Sequence, residues 1–473
     1  DSDVYNNTAT IAGGGAYVLG TFNGVENLSD IYENSAPNGG GMAVPGGIVN
    51  LNTSDMYLNE ATAANGKGGG IYLTAGGALT MTNSAYIYYL NQAYDGAGVY
   101  ADNSTVTMES NSIFRDNIAS NNGGALYLTN NSMLISHSGR IGQAGVGLEN
   151  EAILGAGIYA ITSTVDFEGY IYNNLASYAG AGIYAVNSTV NLNNSQVGGT
   201  DPYQANTLGP GGWAGAGLFL TNGTRASLDT TTIISNTLPT TTIVAGGGAM
   251  VREGSVLTMT NSTIARHSAD STFGGRGAGI YISDGTVTLD NSQVISNTAF
   301  TAGGGIRMFG VSTLNMLNNS VIQNNETTDG EGGGVAATGT PDINISDSSL
   351  YMNRATTDGG AIYLDAGTLD FRGWWELIGN VAKSGVGGAV AVRDTGDIDF
   401  SAENTSYIIS NSTLKGSGGA VFIGNKDEVN LTATSGARIT IYANNADGDG
   451  GAFFADNGAV FDVDGRVSFN NTY

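Results

Sequence analysis

The chain alternates short apolar segments with glycine, asparagine and serine, and this pattern repeats from one end to the other. The segment Gly-Gly-Gly-Ala-Tyr-Val at 13–18 recurs in recognisable form, giving sixteen copies at a mean spacing of about 29 residues. A second segment alternates apolar and polar residues, as at 106–108, which is typical of a strand with one buried face. In a third segment an apolar residue precedes asparagine by three positions, as in Phe114 and Asn117.

A period of about 29 residues accommodates one coil of three short strands and three turns. Such a coil cannot bury its apolar face alone, so each coil must stack on its neighbours. No 3.6-residue apolar period persists, so no helices are expected. We therefore predict an all-β fold, a right-handed single-stranded parallel β-helix (β-solenoid) of about 16 coils forming a single domain over 1–473. Longer spacings predict loop bulges near 144–154, 198–214 and 237–245.

The recurring asparagine is predicted to stack as an internal ladder, in which each amide bonds to the equivalent amide one coil away. The predicted members are Asn117, Asn174, Asn236, Asn297, Asn324, Asn353, Asn380, Asn411 and Asn444. Two coils depart from the pattern, at Ala144 and His267. We interpret His267 as a substituted member of the ladder and not as a catalytic base.

The middle residue of each glycine-led strand is predicted to point outward, because its apolar neighbours point inward. In eleven of the sixteen coils this residue is aromatic: Tyr17, Tyr72, Tyr100, Tyr127, Tyr159, Tyr184, Phe219, Tyr281, Tyr363, Phe422 and Phe454. Two interpretations stay open. The column is either a ladder of rings that stabilises the sheet or an interaction face for a partner or a glycan.

The overall charge narrows the choice of partners. The chain has 16 basic and 41 acidic residues, a net charge of −25, with no basic face for phosphates, so nucleic acid is not expected as a partner. No apolar run is long enough to span a bilayer, so we expect no membrane insertion by this segment. There is no cysteine. The start at Asp1, without a methionine, indicates a segment of a longer secreted product, and we expect an extracellular or cell-surface location.

Parallel β-helices include glycan-active enzymes, whose sites need clustered carboxylates. One acidic group crowds the last coils near Arg466: Asp447, Asp449, Asp456, Asp462 and Asp464. We interpret these as solvated turn residues, with a weak Ca²⁺ site near 447–464 as the alternative, since the spacing fits neither an EF-hand nor glycine-rich nonapeptides. The histidines are His137 and His267. We expect no enzyme activity, no cofactor and no metal.

Two of the repeated segments carry a family resemblance. Gly-Gly-Ala-Ile at 359–362 and Phe-Arg-Asp-Asn at 114–117 are similar to the paired motifs of the chlamydial polymorphic outer membrane proteins and related bacterial β-helix repeat proteins. The resemblance covers the whole chain, although Ile, Val or Leu mostly replaces Phe in the second motif. It implies a secreted, surface-exposed passenger with an adhesive function.

The ends of the chain suggest a mode of assembly. The sequence begins inside a repeat at 4–7 and stops just after 467–470, in the same phase of the coil and without a cap. We expect head-to-tail stacking into a homopolymer, with excision from a longer solenoid as the alternative. The first functional hypothesis is an extracellular structural protein, the subunit of a filament, sheath or adhesive fibre. The second is a monomeric autotransporter-like adhesin that binds host or cell-surface ligands, and the third is a glycan-active enzyme.

Overall fold

The computed structural model describes residues 3–25, 29–424, 427–456 and 458–470. The two ends of the predicted domain, Asp1 and Tyr473, lie outside the described residues. The chain divides into two compact units, 1–239 (unit 1) and 240–473 (unit 2), and each is described by itself. Both are all-β parallel solenoids, and together they comprise about 16 coils of about 29 residues.

The strands of unit 1 form four series. First strands follow the glycine segments: Ala16–Tyr17, Met42–Pro45, Ile71–Thr74, Val99–Asp102, Leu126–Thr129, Ile158–Ile161, Ile183–Val186 and Leu218–Thr221. Second strands are Thr21–Val25, Ile48–Asn52, Ala78–Thr82, Thr105–Glu109, Met133–Ile141, Thr164–Ile171, Thr189–Asn193 and Arg225–Asp229. Met133–Ile141 and Thr164–Ile171 continue into the third series, whose other members are Val4–Tyr5, Ile31–Tyr32, Asp55–Tyr57, Tyr86–Ile87, Ile113–Phe114, Gln196–Gly198 and Thr232–Ile234. Fourth strands are Ser35–Ala36, Glu60–Ala61, Asn91–Asp95, Asn117–Asn122, Asn150–Leu154, Asn174–Ala179 and Thr207–Leu208.

Unit 2 repeats the arrangement. Its first strands are Ala249–Arg252, Ile280–Ser283, Ile306–Gly310, Val335–Gly339, Ile362–Ile378, Val390–Ala402, Val421–Ile423 and Phe453–Ala455. Second strands are Val256–Thr260, Thr286–Asp290, Thr313–Leu317, Asp342–Tyr351, Glu428–Ala433 and Val460–Asp464, and third strands are Thr263–Ala265, Gln293–Ile295, Val321–Gln323, Thr405–Ile409, Arg438–Tyr442 and Val467–Asn470. Three long strands cover more than one series: Asp342–Tyr351, Ile362–Ile378 and Val390–Ala402. Short strands follow the third series: Val244–Ala245, Ser268–Ala269, Gly275–Arg276, Thr298–Ala299, Glu326–Thr327, Arg354–Ala355, Val381–Ala382, Ser412–Thr413 and Asn445–Ala446.

The fourth strand of the coil is an addition to the three that the sequence predicts. It begins at or just after the asparagine of the third segment and, in most coils, is only two residues long, as in Glu60–Ala61 and Val381–Ala382. Two residues give too short an alternation to detect in a sequence. Its effect is to place the asparagine at a corner between two sheets.

Coils pair in parallel and in register, so equivalent residues lie one above another. Leu79 pairs with Val106, and Val106 pairs with Leu134. All three are fully buried, while the alternate positions such as Thr80 and Thr107 are half-buried. The period-two pattern therefore produces one apolar core along the inside of each unit.

The glycine segment is required by the close approach of successive coils. A Cβ atom on Gly69 would lie 2.5 Å from the carbonyl oxygen of Gln92 and 2.7 Å from that of Ala97, both in the next coil. The preceding Gly68 has a φ of +66°, in the left-handed region that glycine adopts without a Cβ penalty. The repeated glycines thus have a structural cause.

Each of the three predicted loop bulges contains a paired strand and is therefore shorter than the sequence indicates. The bulge near 144–154 ends before Asn150, because Asn150–Leu154 pairs as a fourth strand. The bulge near 198–214 contains Thr207–Leu208 and a single 3₁₀ turn, Pro202–Gln204, capped by the Asp201 side chain. The segment 237–245 ends in Val244–Ala245, which pairs with Gly275–Arg276.

Candidate functional site

An asparagine ladder occupies one corner of the coils in unit 1. Its members are joined by amide hydrogen bonds from one coil to the next: Asn7, Asn34, Asn59, Asn91, Asn117, Asn150, Asn174, Asn206 and Asn236. Nδ2 of one asparagine donates to Oδ1 of the next at 2.8–3.1 Å. The same Nδ2 also donates to backbone, as Asn59 does to the Ile31 carbonyl at 2.8 Å. Each buried amide is therefore bonded within the stack, as buried polar groups must be.

Unit 2 contains the same ladder, with one correction to the sequence prediction. The members are His267, Asn297, Asn325, Asn353, Asn380, Asn411 and Asn444. The predicted member Asn324 is wrong: it is exposed, with a φ of +53°, and its neighbour Asn325 is the buried residue that bonds to Asn353 at 3.0 Å. The buried apolar residue of this coil is Ile322, which pairs with Val294 and Leu350, so the asparagine three positions later is Asn325.

Several ladder members were absent from the prediction. Asn34 and Asn59 follow Ile31 and Met56 by three positions, so the same rule finds them. Asn91 stands four positions after Ile87, and Asn150 follows a bulge, so spacing alone does not reveal either one. The departure assigned to Ala144 is thus filled by Asn150, which donates to Asn174 at 2.9 Å.

His267 lies inside the ladder of unit 2 and is fully buried. Its Nδ1 and its backbone nitrogen both approach Oδ1 of Asn297, at 3.1 and 3.0 Å. Burial lowers the pKa of His267 to about 4, and the Asn297 hydrogen bond opposes this only in part. The imidazole is therefore neutral near pH 7 and acts as a ladder donor. His137, in contrast, is exposed and pairs with Glu109 at 2.7 Å.

Serine and threonine form further ladders at other corners. The backbone nitrogen of Ser104 donates to Oγ of Ser132 at 3.1 Å, and that of Ser163 donates to Oγ of Ser188 at 3.1 Å. In unit 2 the nitrogen of Ser292 donates to Oγ of Ser320 at 3.1 Å. Repeated Asn-Ser dipeptides, such as those ending at Ser104 and Ser132, are the sequence signal for these ladders.

The predicted aromatic column exists as a continuous stack in part of unit 1. Its rings, from Tyr72 through Tyr100, Tyr127, Tyr159 and Tyr184 to Phe219, have successive centroid distances of 5.7, 4.7, 4.8, 5.4 and 4.6 Å. Some of these rings are buried and not open to solvent: Tyr100 is 5% exposed and Phe219 is 2% exposed. The Lys67 ammonium lies 4.5 Å from the Tyr100 ring centroid, and Trp213 packs edge-on against Phe219 at 5.6 Å.

Tyr17 stands apart from that stack. Its register partner is Ala43, which in turn pairs with Tyr72, so an alanine separates the two rings. Tyr17 is 58% exposed. Tyr17 is therefore a solvent-exposed member of the predicted column in unit 1.

In unit 2 the predicted column is interrupted. Tyr281 pairs with Arg307 and Arg307 with Ala336, and only then does Tyr363 follow. The Arg307 side chain is largely buried and donates to Thr338 Oγ1 at 2.8 Å. Beyond Ala391, Phe422 and Phe454 stack at 5.5 Å, and Arg393 lies 5.0 Å from the Phe422 ring centroid. Rings and guanidinium groups thus share this column.

A second aromatic column, which the sequence prediction missed, runs along the third strands at the start of unit 1. We call Tyr5, Tyr32, Tyr57 and Tyr88 the tyrosine stack, with ring centroids 5.0, 4.9 and 5.5 Å apart. The first three rings are nearly parallel, at interplanar angles of 6° and 3°. Their sequence signal is a tripeptide, aspartate-apolar-tyrosine, at 3–5, 30–32 and 55–57.

The aspartates of these tripeptides form a second row beside the rings, which we call the aspartate row: Asp3, Asp30 and Asp55. The backbone nitrogen of Asp30 donates to Oδ1 of Asp3 at 3.2 Å, and that of Asp55 donates to Oδ1 of Asp30 at 3.3 Å. Burial, reinforced by the Asp30 charge, raises the pKa of Asp55 to about 6. Burial likewise raises the pKa of Asp30.

Two features are relevant to enzyme activity: a cleft on unit 1 and the positions of the acidic and histidine side chains. A shallow cleft of about 320 Å³ lies over the fourth strands of unit 1, and its lining includes the single carboxylate of Glu60 beside Gln92, Tyr94 and Ser120. Within the described ranges, no group of three or more histidine, aspartate or glutamate side chains is placed to hold a metal ion. The acidic group near the end of unit 2 is mostly solvent-exposed: Asp447, Asp449, Asp462 and Asp464 are exposed, and Asp456 is half-buried.

No helix among the described residues is long and apolar enough to cross a membrane.

The repeats, the parallel register and the polar corner ladders together define a β-helix. The family described as right handed beta helix region matches residues 144–350 and 216–405, which together cover more than half of the chain. The chain belongs to this family, and its solenoid is right-handed. A search of curated proteins finds no match to it.

Proposed function

We propose that this protein is an extracellular structural protein, the β-helix subunit of a cell-surface filament, sheath or adhesive fibre. The observation that carries the proposal is the asparagine ladder, in which successive coils bond to each other through both backbone and amide groups, as Asn380 does to Asn411. Such bonding makes each unit stiff along its stack of coils. Stiffness suits a load-bearing role outside the cell.

Self-association is the mode of assembly in this proposal. A coil presents to its neighbour a row of backbone groups, one asparagine amide and one or more serine hydroxyls. A coil of a second copy offers the same groups at the same positions, so head-to-tail contacts would repeat the bonding found inside the chain. No cofactor is needed for this role.

Electron microscopy of purified protein and of native surface material tests the proposal. We expect purified protein to extend into unbranched fibres at high concentration, and native material to contain fibres of the same width. Particles that stay discrete at every concentration, together with native material that lacks such fibres, would contradict self-assembly.

A monomeric adhesin is the second candidate. It is supported by the similarity of the segments at 359–362 and 114–117 to chlamydial polymorphic outer membrane protein motifs and by the exposed groups of the cleft, Glu60 and Gln92. The test is binding of monomeric protein to a glycan array and to host cells, with Glu60→Ala/Gln92→Ala as the variant and Asp447→Ala as the control. Binding by the wild type and the control, but not by the double variant, would favour the adhesin.

A further inference from the structure

The tyrosine stack and the aspartate row share one sheet face of unit 1, and the face repeats a single unit. In each of three coils an aspartate precedes an apolar residue and a tyrosine follows it: around Val4, Ile31 and Met56, of which Ile31 and Met56 are buried. Because the strands pair in parallel, the carboxylates lie one above another at about the 4.8 Å strand spacing. The exposed fraction of the first tyrosine, Tyr5, is 54%.

This arrangement concentrates negative charge, which a hydrogen bond with Tyr88 and the charge of Arg115 offset only in part at Asp55. Like charges at this separation repel each other, the more so where burial removes water. Lys67 is the only basic residue that precedes Arg115, against ten acidic residues over the same stretch. Lys67 lies over the Tyr100 ring, in the other aromatic column. Among the described residues, Asp3, Asp30 and Asp55 have no basic side chain within ion-pair distance.

The chain itself shows which group this face accepts. Arg115 lies at the end of the tyrosine stack, with its guanidinium carbon 4.7 Å from the Tyr88 ring centroid. Its charge partly opposes the effect of burial on the Asp55 carboxyl. One guanidinium is therefore already accommodated over a tyrosine ring, close enough to an aspartate to affect its pKa but beyond ion-pair distance. The pairs at Asp30 and Tyr32, and at Asp3 and Tyr5, repeat the same chemistry further along the face.

We propose that this face is a docking surface for an arginine- or lysine-rich segment of a partner protein. The row of carboxylates supplies acceptors for several cationic side chains in line, and arginine can bond to a carboxylate through two N–H groups. The tyrosine hydroxyls and ring edges flank that row. This interaction is separate from self-assembly through the coil edges, so either one can hold without the other.

Other ligand classes fit this face less well. A sugar ring packs against the face of an aromatic ring, whereas the faces between Tyr5, Tyr32 and Tyr57 are closed by their own stacking. Phosphate-bearing partners would meet a row of like charges. A basic segment is the occupant whose charge complements the surface.

Fluorescence anisotropy with a labelled octa-arginine peptide tests the proposal on the full chain. The variant is Asp3→Asn/Asp30→Asn/Asp55→Asn. The matched control is Asp447→Asn/Asp462→Asn/Asp464→Asn, which removes the same charge from exposed positions of unit 2. We expect the first variant to weaken binding by about tenfold or more and the control by less than about twofold, because charge pairs at close range outweigh screened distant charges.

Three outcomes would overturn the proposal: equal weakening by both variants, unchanged binding by the first variant, or displacement of the peptide by micromolar Ca²⁺ with the metal bound at the aspartate row. The single change Asp3→Asn, at an exposed position, provides the same test without risk to folding. We expect it to weaken binding by about threefold, and unchanged binding would count against the proposal.

Discussion

Nδ2 of Asn353 donates a hydrogen bond of 3.1 Å to Oδ1 of Asn380, and the backbone nitrogen of Asn353 donates to the same oxygen at 3.0 Å. Both side chains are fully buried. On the other side of Asn353, its Oδ1 accepts two hydrogen bonds from Asn325, one from the backbone nitrogen and one from Nδ2. One asparagine thus ties together three successive coils, so the ladder is a continuous network and not a set of separate pairs.

Replacing a member of this network is expected to destabilise unit 2. Asn353→Ala removes the acceptor of two Asn325 donors and leaves them buried without a partner, which costs roughly 2–4 kcal/mol. The control is Asn324→Gly, which changes an exposed residue and suits its φ of +53°, and should alter stability by less than about 0.5 kcal/mol. Urea denaturation of both variants measures the difference. Equal midpoints would show that the ladder contributes nothing.

His267 gives the ladder of unit 2 a dependence on pH. Its pKa is about 4 in the fold against about 6.5 when unfolded. Since only the unfolded state binds the proton between these values, stability is complete above pH 6.5 and is lost as pH falls toward 4, by about 3 kcal/mol in all. His267→Asn should remove this pH-dependent loss of stability, so the melting temperature of unit 2 should change less between pH 7 and 4.5. An acid sensitivity that the variant retains in full would exclude His267 as its source.

The approach of successive coils at Gly69 predicts a strict requirement for glycine. Gly69→Ala forces a Cβ atom against two backbone oxygens, so we expect a loss of at least about 2 kcal/mol or failure to fold. Gly20→Ala is the control, because no atom lies within 4 Å of its added Cβ atom. That change should be neutral or slightly stabilising. Thermal melts of both variants measure the difference. If Gly69→Ala causes only a small loss of stability, neighbouring coils can separate locally.

The two interpretations of the aromatic column make different predictions for Tyr127. Its ring is stacked between Tyr100 and Tyr159 at 4.7 and 4.8 Å. Tyr127→Ser should therefore lower the stability of unit 1 by about 2–4 kcal/mol, through lost burial and two lost ring contacts. Tyr17→Ser, at an exposed position without an adjacent ring in its column, should change stability by less than about 0.5 kcal/mol. A Tyr127→Ser protein that melts like the wild type but loses a ligand would instead indicate a contact face.

Much of the fold was predictable because the same sequence signals occur in nearly every coil. The glycine segment and the period-two strands identify the solenoid in nearly every coil, and the spacing of Ile171 and Asn174 correctly locates a ladder position. Two ladder positions were missed for different reasons. Asn325 occupies the slot assigned to Asn324 because Val321 and Ile322 are both apolar and the sequence does not show that Ile322 is the buried one, and Asn150 is hidden by a bulge of variable length.

The surfaces were harder to predict than the core. Outward positions were correctly predicted from alternation, but their exposure was not, because Lys67 lies over the Tyr100 ring and the outward position of one coil holds Arg307 in place of a ring. The tyrosine stack was overlooked although its tripeptides are visible in the sequence. Only the register of the third strands brings Tyr5, Tyr32 and Tyr57 into one column.

Fibre diffraction from aligned native surface material tests the structural role most directly. If this protein forms fibres by stacking coil on coil, the pattern will show a meridional reflection at about 4.8 Å, the spacing of paired strands along the fibre axis. Native material that contains this protein but gives no meridional reflection near 4.8 Å would contradict the account.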